Sequence, residues 1–120
     1  MSKQIIQTDK APAAIGPYSQ AVDLSGQIGL DPATGDLVSE NCEEQVRQAF
    51  ANMTAIIHAA GGALNSIVKL TLFVTDIRNF GIVNSVMSEL IPQPFPARST
   101  VEVSALPKKA QFEVEAVIIV

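Results

Sequence analysis

The last β-strand predicted from this sequence carries apolar residues on both of its faces. Along residues 112–119 one face is wholly apolar and the other mixes two glutamates with two apolar residues: Phe112, Val114, Ala116 and Ile118 against Glu113, Glu115, Val117 and Ile119. A strand of this kind belongs to a sheet that is covered on both faces. Two helices can cover only one face, so in a chain of 120 residues the natural cover for the other is a second copy. The pattern therefore predicts a homo-oligomer.

Two helices follow from apolar residues spaced three and four apart. The stripe of the first is Val46, Ala49, Phe50, Met53, Ile56, Ile57 and Ala60, and the stripe of the second is Phe80, Val83, Met87, Leu90 and Ile91. Asn41, with Glu44 three residues later, can cap the first helix, and the Gly-Gly pair at 61–62 can end it. Asn79 is the predicted cap of the second helix, which ends before Pro92.

The predicted strands complete an α+β arrangement. Residues 67–75 alternate, with Val68, Leu70, Leu72 and Val74 on one face and Lys69, Thr71 and Phe73 on the other. Further strands are expected over residues 3–7, over residues 18–28 and beginning near Arg98. The order of strands, helix, strand, helix and two strands predicts a mixed sheet with both helices packed on one face.

Composition narrows the class of protein. With 48% hydrophobic and 17% charged residues and no linker, residues 1–120 are expected to form a single folded domain. No apolar run approaches the ~20 residues of a membrane helix, and the first residues lack the apolar stretch of a signal peptide. A single cysteine, Cys42, excludes an internal disulfide and suits a reducing compartment, so we expect a soluble cytoplasmic protein. The net charge of −4, without a basic cluster, disfavours nucleic acid as a partner.

An arginine and two glutamates are the candidate functional residues. Arg98 begins a strand just after a proline-stiffened turn, where its planar fork can clamp a small carboxylate. Glu113 and Glu115 share one face of the last strand. A fixed cation near a tethered carboxylate suggests a site that binds an acidic small molecule and transfers protons. The alternative is an exposed ion pair without function, and spacing does not choose between the two glutamates.

For the other reactive side chains, the sequence pattern supplies no metal co-ligand or catalytic partner. His58, the single histidine, lies on the polar side of the first helix, and no second metal ligand is spaced to join it. Cys42 stands near a helix start without a neighbouring histidine, and no nucleophile-elbow pattern indicates a serine hydrolase. We expect surface or packing roles for both residues.

Several segments resemble the motifs of the RidA/YjgF family of reactive intermediate deaminases. The opening motif is APAAIGPYSQAV at residues 11–22, and the agreement continues in family order at residues 25–32, 68–76, 80–84, 96–103, 106–108 and 113–116. The resemblance therefore spans nearly the whole chain. It implies a chorismate-mutase-like α+β subunit and a homotrimer whose sheets line a central β-barrel, with active sites in the clefts between subunits.

The resemblance also implies a reaction. Members of this family hydrolyse enamines and imines, such as 2-aminoacrylate and 2-iminobutyrate, to 2-keto acids and ammonia without a metal or an organic cofactor. Carried over by position, Arg98 would hold the substrate carboxylate and Glu113, which matches the family motif, would position and activate the attacking water. The residues implied to line the pocket are Tyr18, Ser25, Gly26, Asn84 and Thr100, with Tyr18 contributed by a neighbouring subunit.

Two other functions stay open. A non-catalytic trimer that binds small carboxylates or keto acids and regulates a partner enzyme would need Arg98 but would tolerate loss of Glu113. An RNA-cleaving or translation-inhibiting role has been attached to some members of the family. The acidic charge balance and the lack of a basic surface lined with aromatic residues argue against that role here.

Overall fold

The computed structural model describes residues 8–13 and 24–119. Over these residues the chain forms four strands and two helices: β1 (Leu24–Ile28), α1 (Cys42–Ala59), β2 (Ile67–Val74), α2 (Phe80–Leu90), β3 (Ala97–Glu102) and β4 (Phe112–Ile118). The strand expected over residues 3–7 and the first part of the strand expected over 18–28 lie outside the described residues. The order of the remaining elements is the predicted one.

The strands form one mixed sheet in the order β1-β4-β2-β3. β2 runs parallel to β3 and antiparallel to β4, and β4 pairs antiparallel with β1. Two adjacent parallel strands need a crossover connection, and α2 supplies it between β2 and β3. The predicted α+β class, with a mixed sheet and two helices, is confirmed.

Both helices bury their apolar stripes against the same face of this sheet. The shared core contains Phe50 and Met53 from α1, Val83 and Val86 from α2, and alternate sheet residues, namely Leu70, Leu72, Val74, Phe112, Val114 and Ala116. The rings of Phe50 and Phe112 stack with their centroids 5.9 Å apart. Each such fully buried side chain contributes about 1.5–3 kcal/mol to folding, so this face fixes the strand register. No helix in the described ranges is long and apolar enough to cross a membrane.

The ends of α1 follow the sequence, but the start of α2 does so only in position. Asn41 Oδ1 accepts a hydrogen bond from the Glu44 amide at 3.0 Å, and Gly61 ends the helix with φ +88°. Asn79 occupies the N-cap position of α2, as predicted, but its side chain makes no capping hydrogen bond. A short 3₁₀ turn directly precedes α2, and Asp76 caps that turn by accepting from the Arg78 amide at 2.9 Å. The chain thus enters α2 already coiled, without a side-chain cap of its own.

Two β-bulges change which residues share a face. Ser25 and Gly26 together oppose the single residue Glu115 of β4, because the pairing moves from Leu24↔Ala116 to Gln27↔Val114. A second irregularity, at Val68 of β2, turns its side chain outward with 42% exposure. The prediction that Val68 shares a face with Leu70, Leu72 and Val74 is therefore wrong, since the other three residues are buried.

The face of the sheet away from the helices is left without cover by the described residues. Apolar residues on this face or at its edge are Val68, Val101, Val117 and Ile119, with exposures between 40% and 70%. Phe73 and Thr71 lie among them, together with Glu113 and Glu115. A mixed apolar surface of this kind on an open sheet suits burial against another protein surface.

Candidate active site

Arg98 is held between β3 and α2. It is the second residue of β3 and pairs with Leu70, so its side chain leaves the sheet on the helix-covered face. Its Nη1 atom lies 3.3 Å from Met87 Sδ, and its Cζ atom lies 5.3 Å from the centre of the Phe80 ring. Among the described residues no carboxylate lies within ion-pair distance of this guanidinium. Its fork therefore keeps donors for the carboxylate of a ligand.

A cleft of about 280 Å³ opens beside the guanidinium; it is lined by Asn84, Met87, Ser88, Phe95, Pro96 and Arg98. Asn84 Oδ1 and Thr100 Oγ1 are buried and have no hydrogen-bond partner within the described part of the chain. Thr100 pairs with Leu72 and so shares the face of Arg98. An unpaired buried oxygen costs free energy, so both atoms favour a ligand or a neighbouring subunit that would supply the missing hydrogen bond.

Glu113 lies on the other face of the sheet, among apolar neighbours. It is the second residue of β4 and pairs with Phe73 of β2 on one side and Ile28 of β1 on the other. Burial raises the pKa of the Glu113 carboxyl above its ordinary value, and the like charge of Glu115 raises it further. A carboxyl group with a raised pKa is a stronger base when ionised, and a larger fraction of it is protonated near neutral pH.

The bulge in β1 places Gly26 against this carboxyl group. A Cβ atom built on Gly26 would lie 2.8 Å from Glu113 Cδ and 2.9 Å from Oε2, so only glycine leaves the space that the carboxyl group fills. Ser25, the other residue of the bulge, is half-buried, and its carbonyl accepts from Gln27 Nε2 at 3.3 Å. The structure thus brings Gly26 together with Glu113. Ser25 precedes Gly26 in the chain and belongs to the same bulge.

Helix α1 holds the end of β1 in this position. Buried Asn52 donates from Nδ2 to the Leu30 carbonyl at 2.8 Å and to the Ile28 carbonyl at 3.3 Å. Between those carbonyls, a Cβ atom on Gly29 would come within 2.6 Å of the Gln45 carbonyl oxygen, so the strand runs directly against the helix. Because β1 cannot shift away from β4, the contact between Gly26 and Glu113 is fixed by the core.

Arg98 and Glu113 therefore belong to different faces of one protomer. They lie two strands and three register positions apart, which normal strand spacing makes about 14 Å between Cα atoms. The expectation that a cation and a carboxylate lie close together is not met within a single chain. The candidate residues form two groups, one with Arg98, Asn84 and Thr100 and one with Glu113 and Gly26, and Tyr18 lies outside the described residues.

The structure places the remaining reactive side chains, His58 and Cys42, on helix α1. His58 is exposed on α1. Cys42 is buried, and this burial, together with the charge of Asp76, raises the pKa of its thiol, which makes it less reactive. Within residues 8–13 and 24–119, no three histidine, cysteine, aspartate or glutamate side chains are grouped so that they could hold a metal ion.

Sequence reasoning did not assign Phe80 and Met87 to the site. Both were counted as core residues of the second helix, whereas Phe80 is 37% exposed and both contact the Arg98 side chain. Their spacing from Asn84, four residues in one direction and three in the other, was the available signal. Residues so spaced share one face of a helix.

Comparison with known proteins agrees with this fold. The sequence model of the endoribonuclease L-PSP family, to which RidA and YjgF belong, matches residues 8–120. The chain belongs to this family. The resemblance seen in the RidA/YjgF motifs is thereby confirmed, and it extends over nearly the whole chain.

Relatives in the RidA/YjgF family share both sequence and structure with this chain. The 2-iminobutanoate/2-iminopropanoate deaminase of Homo sapiens is 46% identical over 123 residues, which cover 98% of this chain and 90% of the relative. The crystal structure of RidA from Psychrobacter sp. PAMC 21119 superposes with a TM-score of 0.95 at 45% identity and covers 98% and 100% of the two chains. TdcF from E. coli with bound serine has a TM-score of 0.90 at 39% identity and covers 98% and 99%.

Proposed function

We propose that this protein hydrolyses 2-imino acids and their enamine tautomers, such as 2-iminobutyrate and 2-aminoacrylate, to 2-keto acids and ammonia. The observation that carries the proposal is the Arg98 guanidinium at the wall of a cleft, without a carboxylate partner among the described residues, in a chain whose relatives include 2-iminobutanoate/2-iminopropanoate deaminases. Each of these substrates carries a carboxylate next to the reacting carbon. A planar fork with free donors is the side chain best suited to hold it.

The reaction requires little from the protein beyond orientation of the substrate and transfer of protons. Once the imine nitrogen is protonated, the carbon of the C=N bond is electrophilic and water can add to it. Glu113 takes a proton from that water as the new C–O bond forms, and the electron pair of the C=N bond moves to nitrogen. Glu113 then gives this proton to nitrogen, the C–N bond breaks and ammonia leaves. As it leaves, the carbinol hydroxyl loses its proton to Glu113 and its oxygen becomes the keto group. The departing ammonia takes that proton, which returns Glu113 to its ionised form. The raised pKa of Glu113 suits both halves of this exchange.

The site requires more than one copy of the chain. Since Arg98 and Glu113 leave opposite faces of the sheet, we propose that the Arg98 group of one subunit meets the Glu113 group of its neighbour. The exposed apolar residues beside Glu113 support an interface on that face. A homotrimer with its sheets around a central β-barrel satisfies this requirement, and Tyr18 and Ser25 are proposed to line the same clefts. A reducing, cytoplasmic location fits the single buried Cys42.

The proposed activity is tested by following release of 2-oxobutyrate and pyruvate from 2-iminobutyrate and 2-aminoacrylate that are generated in situ. The protein is expected to accelerate release over the spontaneous reaction in proportion to its concentration. Binding of 2-oxobutyrate without acceleration would instead identify the non-catalytic carboxylate-binding trimer. Cleavage of RNA that follows the protein through purification and is weakened by added salt would favour the endoribonuclease role.

The influence of Glu115 on Glu113 gives a pH dependence with a definite sign. The base is active when it is ionised, so its raised pKa sets the acid limb of the kcat/KM profile above the ordinary glutamate value. Glu115→Gln removes one negative charge and is expected to move this limb to lower pH, but not back to the ordinary value, because burial is the larger cause. At pH values well above the limb the variant and the parent should agree. A limb that stays in place or moves up would contradict the role of Glu113.

A further inference from the structure

Three residues of α2 face Arg98, the candidate clamp for the substrate carboxylate. Phe80, Asn84 and Met87 are separated by four and three residues, so they form a stripe along two turns of one side of the helix. Asn84 and Met87 line the cleft, while Phe80 and Met87 contact the Arg98 side chain. The stripe therefore lies between the helical core and the cleft.

The contacts of Arg98 differ from those of the other two arginines in the chain. Arg47 bonds to Glu43 at 3.1 Å and Glu89 at 3.0 Å, and Arg78 bonds to Asp76 at 2.7 Å. Arg98 instead has the thioether of Met87 at 3.3 Å and the ring of Phe80 at 5.3 Å. Both of these partners are uncharged and polarisable, so they attract the cation without neutralising it.

We propose that Phe80 and Met87 are positioning residues that orient the Arg98 guanidinium for the substrate carboxylate. The proposal rests on the carboxylate role of Arg98 in the proposed function. A carboxylate partner within the protein would have to be displaced before substrate could bind, whereas a ring face and a sulfur atom leave most donors of the fork free. Phe80 and Met87, which together we call the cradle, also restrict the long flexible side chain of Arg98 before substrate arrives, which lowers the entropy lost on binding.

This arrangement predicts an effect on affinity rather than on the chemical step. Phe80→Leu keeps an apolar side chain but removes the ring face, and the exposed position of Phe80 indicates a loss of about 2–5-fold in affinity for a small carboxylate. Met87→Leu conserves volume and removes the sulfur acceptor, so it should weaken binding in the same direction. Because the cradle acts equally on bound substrate and on the transition state, KM should rise while kcat stays the same.

The test measures 2-oxobutyrate binding by calorimetry beside keto-acid release, for the assembled parent and its variants. We expect weaker binding and higher KM for Phe80→Leu and Met87→Leu, and recovery of most of the affinity in Phe80→Tyr, which restores a ring face. Ile77→Ala is the matched control, since it truncates an exposed apolar residue of the 3₁₀ turn that directly precedes α2. Thermal unfolding of each variant shows whether weaker binding comes from loss of the cradle or from loss of the folded structure.

The outcomes separate this inference from the proposed function. Binding that depends on Arg98 and Phe80 in a protein that releases no keto acid would support the cradle and overturn the deaminase activity. Unchanged binding in both Phe80→Leu and Met87→Leu would overturn the cradle even if the deaminase is active. Equal loss in Phe80→Leu and Phe80→Tyr, a fall in kcat alone, or no binding of 2-oxobutyrate by the parent would also overturn it.

Discussion

Glu113→Gln is expected to reduce keto-acid release by roughly 10²–10⁴-fold, the range that general acid–base catalysis contributes. The amide keeps the size of the side chain between Phe73 and Gly26 but cannot accept the proton of the attacking water. Binding of 2-oxobutyrate should be retained, since the carboxylate clamp lies on the Arg98 side of the cleft. The measurement is initial rate at matched oligomer concentration, together with calorimetric binding of the product.

Unfolding should not be the cause of this loss. The pKa of Glu113 is raised in the folded protein, so its stabilising contribution is complete below the unfolded value of about 4.3 and is lost as the pH rises through the folded value. At neutral pH the ionised carboxylate therefore opposes folding, and Glu113→Gln should unfold no lower in temperature than the parent. Glu115→Gln, at a pH above its acid limb, is the control for loss of a neighbouring negative charge. Full activity in Glu113→Gln would remove this residue from the mechanism and favour another base.

Mixed oligomers of Arg98→Ala and Glu113→Gln subunits are expected to recover activity that neither variant has alone. A site built from the Arg98 group of one copy and the Glu113 group of another is intact when the first copy is the Glu113→Gln variant and the second is the Arg98→Ala variant. With random mixing of equal amounts, about a quarter of the interfaces in a cyclic oligomer meet this condition. The rate should approach about a quarter of the parental rate, because the intact sites act independently.

The experiment requires subunits that exchange or refold together. Differently tagged variants can be co-expressed and the mixed species isolated by two affinity steps, with their composition checked by native mass spectrometry. In a cyclic trimer isolated this way one interface in three is intact, so the expected rate for the isolated species is about a third of the parental rate. Mixed oligomers of Arg98→Ala with parent subunits provide the matched control, since their activity depends only on the fraction of intact sites. If verified mixed oligomers of the two variants stay inactive, each site takes both residues from one copy, and the inter-subunit arrangement is wrong.

Local periodicity was enough to predict the elements but not the register between them. The stripe of α1, its Asn41 cap and the alternation of β4 depend on residues close in sequence, and all three were predicted correctly. The outward turn of Val68 depends on how β2 pairs with β4, more than forty residues away, so its neighbours in sequence carry no sign of it. Asn79 makes no capping hydrogen bond because the turn before it had already started the helical path.

The same limit applies to the candidate site. The family motifs identify Arg98 and Glu113 as individual residues, but alternation along a strand says only which residues of that strand share a face. Opposite orientation of the two side chains follows from the pairing of Arg98 with Leu70 and of Glu113 with Phe73. Sheet order and register are tertiary information, so the separation of the two groups onto opposite faces of one protomer became visible only in the structure.

The close approach of Gly26 to Glu113 bears on how sequence variants of this protein should be judged. An added methyl group at position 26 would press on the flexible end of the Glu113 side chain rather than on backbone, so the carboxyl group could move aside while the fold stays intact. A substitution at this position would therefore reduce the proposed activity before it reduced the stability of the fold. A survey that ranks variants by melting temperature or expression yield would score such a change as harmless, although in the proposed mechanism the displaced carboxylate could no longer deliver its proton.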